Sequence, residues 1–496
     1  MGVIRLTSTG KLRLSGGKVR LTANDPAPVI PGAAATSLTV SDYLADRIFQ
    51  RVGTSKAVPV TGTSNGDAAQ VRAVNMDGTP ATAWETMPVT GGAYSGLLTV
   101  PQGGFYKLQA RDAVNTALIA NGTNKFAVGV LVGMIGQSNM VRLSELHGGY
   151  PLVDLKTRRF ANGAWSFVGN YNLSEQYPPN TTVNVYGANY QFPSPNGDGI
   201  TYFVNYLRAA LGVPVGTFEY AVSGSPLSGW VPGGQQYNTF TSAITASGGD
   251  CEAAIFLQGE QDAVLGTSGA AYQAGVQSLL DGVRNLVGRD STNFHFGVVL
   301  VGPGAGFAPA GRLGAIRKAQ LDFVAANTGA FVCGIATDAD LAGDSIHFNT
   351  ESQIRQGYRY ALGMANRLGA LPYGAQGPRI TGATRSGVTV TVAIAQNGGT
   401  QLLDGAGGNG FALTGFRVFN NGAPVTISST AISGNSVVLT LASAPGGAVT
   451  LDYAMADAPF GGTFVPAASL YDNRTVPGDS LGLPLQPCAA ITVTGS

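Results

Sequence analysis

The feature that most constrains the fold is an alternation of strand-like and helical segments in the middle of the chain. An apolar run from Phe126 to Ile135 predicts a buried strand. Further strand-like runs follow at 213–220, 253–257, 294–301 and 330–335. Between these runs, apolar residues recur at helical spacing. Alternating strands and helices predict a parallel sheet with helices on both of its faces.

Sequence patterns typical of β-structure flank this central region on both sides. Residues 31–126 and 373–496 contain short alternating runs bounded by Gly, Asn and Asp, which predict antiparallel strands in sandwich-like domains. The 71 glycines and the charged fraction of 11% suit a turn-rich protein. A chain of 496 residues is too long for one core. We therefore expect an α/β domain at 127–372 between two β-sandwich-like domains.

The segment 1–30 carries a short repeat. Residues 4–7, 12–15 and 19–22 share one apolar–polar alternation and are separated by glycine-containing turns. Strands this short cannot bury a core by themselves. We expect residues 1–30 to form a docking segment that packs on the next domain, on another copy in a homo-oligomer, or on a virion.

The composition argues against several classes of partner. The net charge is +1 and there is no long basic run, so we expect no nucleic-acid binding. No stretch is long and apolar enough to span a bilayer, so we expect no membrane insertion. The three cysteines, Cys251, Cys333 and Cys488, form neither a disulfide framework nor a zinc pattern. We expect neither a metal nor an organic cofactor.

The location is predicted from two further features. The first residues lack the basic start and apolar block of a signal peptide. The low charge and the abundance of Gly, Thr and Ser are typical of a protein that works outside a cytoplasm. Together these features predict an extracellular or virion-associated protein.

Polar residues follow the ends of the predicted strands. Ser138 lies after the first strand, in the sequence Gly-Gln-Ser-Asn-Met, and Gly224 and Gln258 follow two others. Asp344 and His347 come after the last strand and supply a carboxylate and an imidazole three residues apart. In parallel sheets the ligand lies beyond the carboxyl ends of the strands. A serine, a base and an orienting acid at that edge predict acyl transfer.

Each motif also fits a plain structural role when it is taken alone. A single Gly-x-Ser-Asn suits a turn, and Asp344 with His347 suits a helix N-cap followed by the first turn. Of the other histidines, His295 lies within a strand-like run, and His147 follows the serine too closely to approach it from the other loops. His347 is therefore the well-placed base.

Four segments in this order resemble the SGNH-type hydrolases, and most closely the sialate O-acetylesterase-like carbohydrate esterases. They are 136–140, 215–230 with its Ser-Gly-Ser and Trp, 258–263 (Gln-Gly-Glu-Gln-Asp-Ala) and 344–348 (Asp-Ser-Ile-His-Phe). The resemblance covers 127–370 well and the C-terminal region loosely. It implies a three-layer α/β/α domain.

This resemblance also implies the roles of the candidate residues. Ser138 is the expected nucleophile, His347 the general base and Asp344 its orienting acid. The amides of Ser138 and Gly224 and the side chain of Gln258 are the expected oxyanion hole. Glu260 is expected to support these groups from behind, although Glu260 and Asp262 also suit a glycoside hydrolase pair.

The sequence thus predicts a serine esterase that removes O-acetyl groups from a carbohydrate. Its setting stays open between a phage tail or receptor-binding protein that acts on a bacterial surface glycan and a secreted bacterial enzyme. Two alternatives stay open. One is a carbohydrate-binding adhesin or structural particle protein with an inactive hydrolase core, and the other is a lipase or thioesterase. The insertion at 144–200 carries aromatic residues that suit either sugar binding or packing: Trp165, Tyr171, Tyr177, Tyr186 and Tyr190. Arg142 is expected to be solvated, and the carboxylate of an acidic sugar is its alternative partner.

Overall fold

The fold is that of a computed structural model. The structure describes residues 4–6, 12–14, 32–143, 156–161, 163–166, 198–304, 308–404, 413–457, 470–476 and 482–495. His147, the tyrosines of the insertion and the third repeat unit at 19–22 lie outside the described residues.

The N-terminal part of the chain is β-structure. Its strands are β1 (Ile4–Leu6), β2 (Leu12–Leu14), β3 (Arg47–Gln50), β4 (Ser55–Thr63), β5 (Ala68–Asn75), β6 (Glu85–Thr90), β7 (Ala93–Pro101), β8 (Gly103–Asp112) and β9 (Ile119–Asn121). β1 and β2 form an antiparallel two-stranded sheet that pairs with no other strand of the described ranges. Alternate residues of β4, β5, β7 and β8 are buried and enclose an apolar core of their own. The predicted β-rich N-terminal region is confirmed.

The central region alternates strands and helices. Its strands are β10 (Phe126–Gly136), β11 (Thr157–Ala161), β12 (Ala164–Ser166), β13 (Val215–Ala221), β14 (Ala253–Leu257), β15 (His295–Leu300) and β16 (Ala330–Ile335). Its helices are α1 (Ser138–Arg142), α2 (Asp198–Leu211), α3 (Gln235–Ser247), α4 (Glu260–Leu265), α5 (Gly269–Val287), α6 (Arg312–Ala326) and α7 (Thr350–Arg367). A short 3₁₀ turn lies at Leu227–Gly229.

The central strands form a parallel sheet with β10 in its interior. β13 and β14 flank β10, β11 lies outside β13, and β15 and β16 continue beyond β14, all parallel. Successive residues of β10 enter opposite cores, because side chains alternate along a strand. Leu131 and Ile135 pack with α3, α5 and α6, whereas Val132 and Met134 pack with α2 and α7. The predicted mixed α/β class, with helices on both faces, is confirmed.

β10 belongs to two regions that the sequence predicts to be separate domains. Residues 126–129 pair with β3 in parallel, and residues 126–128 pair with β8 antiparallel. The N-terminal strands and the central sheet therefore share one strand and form a 14-stranded sheet. The apolar run gives no sign of this junction, since every residue of β10 is buried along its full length.

The C-terminal part returns to β-structure. Its strands are β17 (Arg379–Ser386), β18 (Thr389–Ala395), β19 (Leu402–Asp404), β20 (Phe416–Asn420), β21 (Ala423–Val425), β22 (Ile427–Ser433), β23 (Ser436–Leu441), β24 (Val449–Tyr453), β25 (Leu470–Asp472) and β26 (Cys488–Gly495). Eight of them form one sheet, and β19 pairs with β25. Alternating buried residues of β18 and β23 face a separate apolar core. The β-rich character is confirmed, while the sandwich arrangement and the domain boundaries stay predictions.

Candidate active site

The turn after β10 presents Ser138 at the carboxyl edge of the sheet. Gly136 adopts a φ of +154°, and a Cβ there would lie 2.0 Å from the carbonyl oxygen of Leu257. Only glycine fits this close approach to β14. The amide of Gln137 donates to the same carbonyl at 3.0 Å. Ser138 then begins α1 with 8% of its surface exposed.

Asp344 and His347 form a hydrogen-bonded pair in the loop before α7. His347 Nδ1 lies 2.7 Å from Asp344 Oδ2. The other oxygen, Oδ1, accepts from the backbone amides of Ile346 and His347, each at 3.0 Å. Ser345 has a φ of +60° within this tight turn. The predicted base and acid are thus together, and the ring nitrogen Nε2 is left for another partner.

The electrostatic state of Asp344 follows from these bonds. Burial raises its pKa, but the hydrogen bonds from the backbone and ring of His347 and from the amide of Ile346 outweigh burial and hold the pKa of Asp344 well below its usual range. Arg142 Nη1, one helical turn after the serine, lies 3.6 Å from Asp344 Oδ2. Asp344 is therefore a carboxylate, able to stabilise a positive charge on the imidazole.

Asn139 joins the serine turn to the histidine loop. Its Oδ1 accepts from the amide of Phe348 at 3.0 Å, and its Nδ2 donates to Glu260 Oε1 at 2.9 Å. Among the described residues, Ser138 makes no direct hydrogen bond to His347. In structures without substrate such catalytic bonds are often long, and they tighten when substrate binds.

Gly224 lies in the turn after β13, close to the end of β10. It adopts a φ of +67°, and the preceding Val222 amide donates to the carbonyl of Gly136 at 2.9 Å. Within the part of the chain that the structure describes, neither Ser138 N–H nor Gly224 N–H donates a hydrogen bond to protein. Both amides therefore have a donor to offer at this edge.

Gln258 is fully buried and is bonded differently from the expectation. Its Nε2 donates to Asp262 Oδ2 at 2.6 Å and to the carbonyl of Ser225 at 3.1 Å. Asp262 Oδ2 also accepts from the amide of Leu227 at 2.7 Å. In this structure Gln258 and Asp262 brace the turn that carries Gly224. Donation from Gln258 to an oxyanion would require one of its bonds to be released, and it stays a prediction.

Glu260 and Asp262 lie inside the protein rather than facing a cleft. Their exposed fractions are 4% and 2%, and each accepts hydrogen bonds from buried groups. Burial raises the pKa of Glu260, against the opposing hydrogen bond from Asn139. The paired carboxylates of a glycoside hydrolase flank the bond that they cleave. The buried positions of these two side chains disfavour that alternative.

Trp165 and His295 both lie in structural rather than catalytic environments. Trp165 is 6% exposed and packs on Phe160 with ring centroids 5.1 Å apart. β12 pairs with β11, and the indole closes the apolar core instead of offering a surface for sugar. His295 Nδ1 accepts from Arg367 Nε at 3.0 Å, and burial, with nearby arginines, lowers its pKa to about 4.

Asn139 and Arg142 make contacts that the sequence did not indicate. Arg142 was expected to meet solvent or an acidic sugar, but it faces the carboxylate of Asp344. Its spacing of four residues from Ser138 places it on the same side of α1, which is the signal that was available. The bonds of Asn139 had no such signal, because its partners lie in distant segments of the chain.

Neither a metal centre nor a membrane-spanning helix is found in the described residues. No three His, Cys, Asp or Glu side chains there are grouped to hold a metal ion. No helix within the described ranges has the length and apolar character to cross a bilayer.

Comparison with solved structures finds several proteins with some similarity to this chain. A carbohydrate acetylesterase from Xanthomonas citri matches with a TM-score of 0.61 at 19% identity, over 90% of this chain and 98% of that chain. A protein from Arabidopsis thaliana matches with a TM-score of 0.37 at 19% identity, over 48% of this chain and 98% of that chain. A family two carbohydrate esterase from Clostridium thermocellum scores 0.30 at 13% identity, over 66% and 95%. The first of these shows the fold; the other two scores are too low to carry an argument.

The sequence comparisons give one match. No curated protein sequence matches the chain. Residues 130–366 match the profile of the family described as carbohydrate esterase, sialic acid-specific acetylesterase. This range contains Ser138, Gly224, Asp344 and His347. The central region of the chain, residues 130–366, is therefore similar to the carbohydrate esterase family of sialic acid-specific acetylesterases.

Proposed function

We propose that the protein is a serine esterase that removes O-acetyl groups from a carbohydrate. The observation that carries the proposal is the 2.7 Å bond between His347 and Asp344, in a loop that Asn139 ties to the serine turn. These groups lie within the range that matches a carbohydrate esterase family.

The acylation step follows from this geometry. Ser138 Oγ attacks the carbonyl carbon of the acetyl group, and its proton passes to His347 Nε2. Asp344, bonded to Nδ1, fixes the tautomer and stabilises the imidazolium. The tetrahedral oxyanion accepts from the amides of Ser138 and Gly224. When the ester bond breaks, the sugar oxygen takes the proton from Nε2 and leaves as a hydroxyl group.

Deacylation repeats these steps with water. His347 Nε2 removes a proton from the water, whose oxygen attacks the acetyl–Ser138 ester. Collapse of the second tetrahedral intermediate breaks the bond to Oγ, which recovers its proton from Nε2, and acetate leaves. Glu260 has no proton transfer to perform, because its carboxyl group is bonded to Asn139 behind the site.

The substrate class is tested by acetate release from a panel of O-acetylated glycans, with sialic acid esters included. We expect release from at least one glycan and a steep fall in kcat/KM when aryl acetates are replaced by longer aryl esters. An unchanged rate with longer acyl chains would favour a lipase or thioesterase. Binding of glycans without any turnover would favour an adhesin with an inactive core.

We also propose roles for the flanking regions. Residues 31–126 and 373–496 would fold as sandwich-like domains that position the glycan, and residues 1–30 would attach the enzyme to another copy or to a virion. The support for attachment is that, among the described strands, β1 and β2 pair with no partner outside their own two-stranded sheet. Deletion of residues 1–30 should abolish oligomer formation or particle attachment and spare the esterase activity. Loss of folding in the truncated protein would place these strands in the enzyme's own core.

A further inference from the structure

We propose that Asn139 is a positioning residue that fixes the loop of His347 relative to Ser138, and that Glu260 is the acceptor that orients it. The inference rests on the proposed function, because it takes Ser138 as the nucleophile and His347 as the base. The pairing of His347 with Asp344 does not imply the roles of Asn139 and Glu260. It fixes the imidazole ring within its own loop, but not relative to Ser138.

The side chain of Asn139 has both ends engaged and almost no exposure. One per cent of the residue is exposed. Oδ1 accepts from the amide of Phe348 at 3.0 Å, and Nδ2 donates to Glu260 Oε1 at 2.9 Å. The orientation of the amide is set by its partners, since a backbone N–H needs an acceptor and a carboxyl oxygen here needs a donor. One side chain thus joins the serine turn, the start of α4 and the histidine loop.

The hydrogen bond from the Phe348 amide to Asn139 lies directly beside His347, the proposed base. Phe348 follows His347 directly, is 1% exposed, and packs against Gly302, where an added Cβ would come within 2.4 Å of its ring. The ring and the amide of Phe348 together hold one end of the loop. Loss of the acceptor would leave a buried N–H unsatisfied and would let His347 shift. A displacement of about 1 Å costs on the order of a hundredfold in rate.

Glu260 serves this arrangement as an acceptor and needs no charge to do so. Its Oε1 receives the Asn139 bond, while Oε2 is buried with no hydrogen-bond partner among the described residues. A glutamine at this position keeps a carbonyl oxygen for Nδ2 of Asn139. A leucine fills similar space and offers no acceptor.

The test compares Asn139→Leu, Glu260→Leu and Glu260→Gln for kcat and KM with an aryl acetate. Asn139→Leu and Glu260→Leu should each lower kcat by about tenfold to a hundredfold, with KM within about twofold of the parent value. Glu260→Gln should keep kcat within about threefold. The double leucine variant should be little worse than Asn139→Leu, because both changes break one linkage.

Gln50→Leu is the matched control. Gln50 is a buried amide whose Oε1 accepts from the backbone of Leu131 at 2.7 Å and of Glu252 at 3.1 Å, beside the middle of β10 and away from the serine turn. This variant should lower the Tm and leave kcat unchanged. A fall in kcat for Asn139→Leu no greater than for Gln50→Leu overturns the inference.

Further variants separate the remaining outcomes. Where Asn139→Leu fails to fold, Glu260→Leu carries the test, because it removes the acceptor that orients Asn139 and leaves Asn139 in place; a kcat equal to that of the parent contradicts the inference. Equal losses in Glu260→Gln and Glu260→Leu would show that Glu260 acts by charge and would refute its assigned role. An inactive parent enzyme, or an active Ser138→Ala variant, would instead refute the proposed function.

Discussion

At the scale of single residues, Asp344 has two separate tasks that its two oxygens divide. Oδ1 closes the turn by accepting from the amides of Ile346 and His347, and Oδ2 meets the imidazole. The sequence predicted the second task from the spacing of Asp344 and His347. That spacing also fits an N-cap, and the structure shows turn closure and imidazole pairing at once. The helix cap itself is Asn349, whose Oδ1 accepts from Ser352.

The two tasks can be separated by Asp344→Asn. An amide oxygen still accepts from the backbone, so the turn and the Tm should change little. The orienting charge is lost and the imidazole tautomer is no longer enforced, so kcat should fall by up to about four orders of magnitude. Steady-state kinetics and a thermal melt measure the two effects. A kcat within a few-fold of the parent would contradict the assignment of Asp344.

His295 predicts a pH dependence of stability that is unrelated to catalysis. Burial and the nearby arginines lower its pKa from 6.5 to about 4 in the folded protein. Between these values the unfolded chain binds the extra proton, so the free energy of unfolding falls as pH drops from 6.5 towards 4. His295→Gln keeps an acceptor for Arg367 and removes the titration. Denaturant unfolding at several pH values gives the free energy of unfolding as a function of pH. This dependence on pH should be shallower in the variant, and an equal dependence in both proteins would refute the role of His295.

At the scale of elements, the short helix α4 supports both halves of the site. Glu260 reaches the histidine loop through Asn139, and Asp262 holds the turn of Gly224 through Leu227. The sequence marked this segment as important through its family resemblance and left open a pair of catalytic carboxylates. Pattern alone could not decide, because a buried supporting carboxylate and an exposed catalytic one look alike in sequence.

Asp262→Ala tests the support of the Gly224 turn. The change leaves the amides of Gln258 and Leu227 and the hydroxyl of Thr267 without their acceptor. We expect the free energy of unfolding to fall by about 1–3 kcal/mol, together with a loss of kcat. Urea denaturation and kinetics provide the readouts. A variant that matches the parent in both would show that Asp262 does not brace the turn.

The strands and helices of the central region were predicted better than the places where this region joins the flanking regions. The alternation of strands and helices in 127–372 predicted a parallel sheet covered by helices on both faces. The spacing of apolar residues distinguishes a strand from a helix and shows which side chains are buried. The sharing of β10 between the N-terminal strands and the central sheet was missed. A strand that is buried on both faces along its whole length carries no mark of where its partners change.

At the scale of the whole molecule, a buried ion pair joins the central region to the C-terminal strands. Arg359 of α7 makes two bonds to Asp338, at 2.7 Å and 2.9 Å, and the hydroxyl of Tyr471 in β25 donates to the same carboxylate at 2.9 Å. Arg359 and Asp338 are fully buried. Burial raises the pKa of Asp338, but the charges of Arg359 and Arg355 outweigh it, and the pKa lies below its ordinary value.

Arg359→Met should be among the most destabilising changes in the protein. It leaves the carboxylate of Asp338 buried without its main partner, which typically costs about 3–5 kcal/mol. Tyr471→Phe is the milder comparison, since it removes one hydrogen bond and should cost about 1–3 kcal/mol. Chemical denaturation of both variants gives the values. Equal and small losses of stability in the two variants would mean that the Arg359–Asp338 ion pair contributes little to the linkage between the central region and the C-terminal strands.

The sequence could not foresee this linkage, since the two regions were predicted from separate patterns. Periodicity identifies faces of elements, whereas contacts between distant segments depend on how whole sheets pack. Asp338, Arg359 and Tyr471 are separated by more than 100 residues from first to last. The same reason explains why Asn139 and Gln258 were not assigned the bonds that they make.

The central claim is that Ser138 is the nucleophile of a carbohydrate acetylesterase. The most direct measurement is acetate release from an O-acetylated glycan by the parent protein and by Ser138→Ala, with circular dichroism to show that both are folded. We expect turnover by the parent and none above background by the variant, because only the attacking oxygen is lost. Release of acetate by folded Ser138→Ala within a few-fold of the parent rate would contradict it.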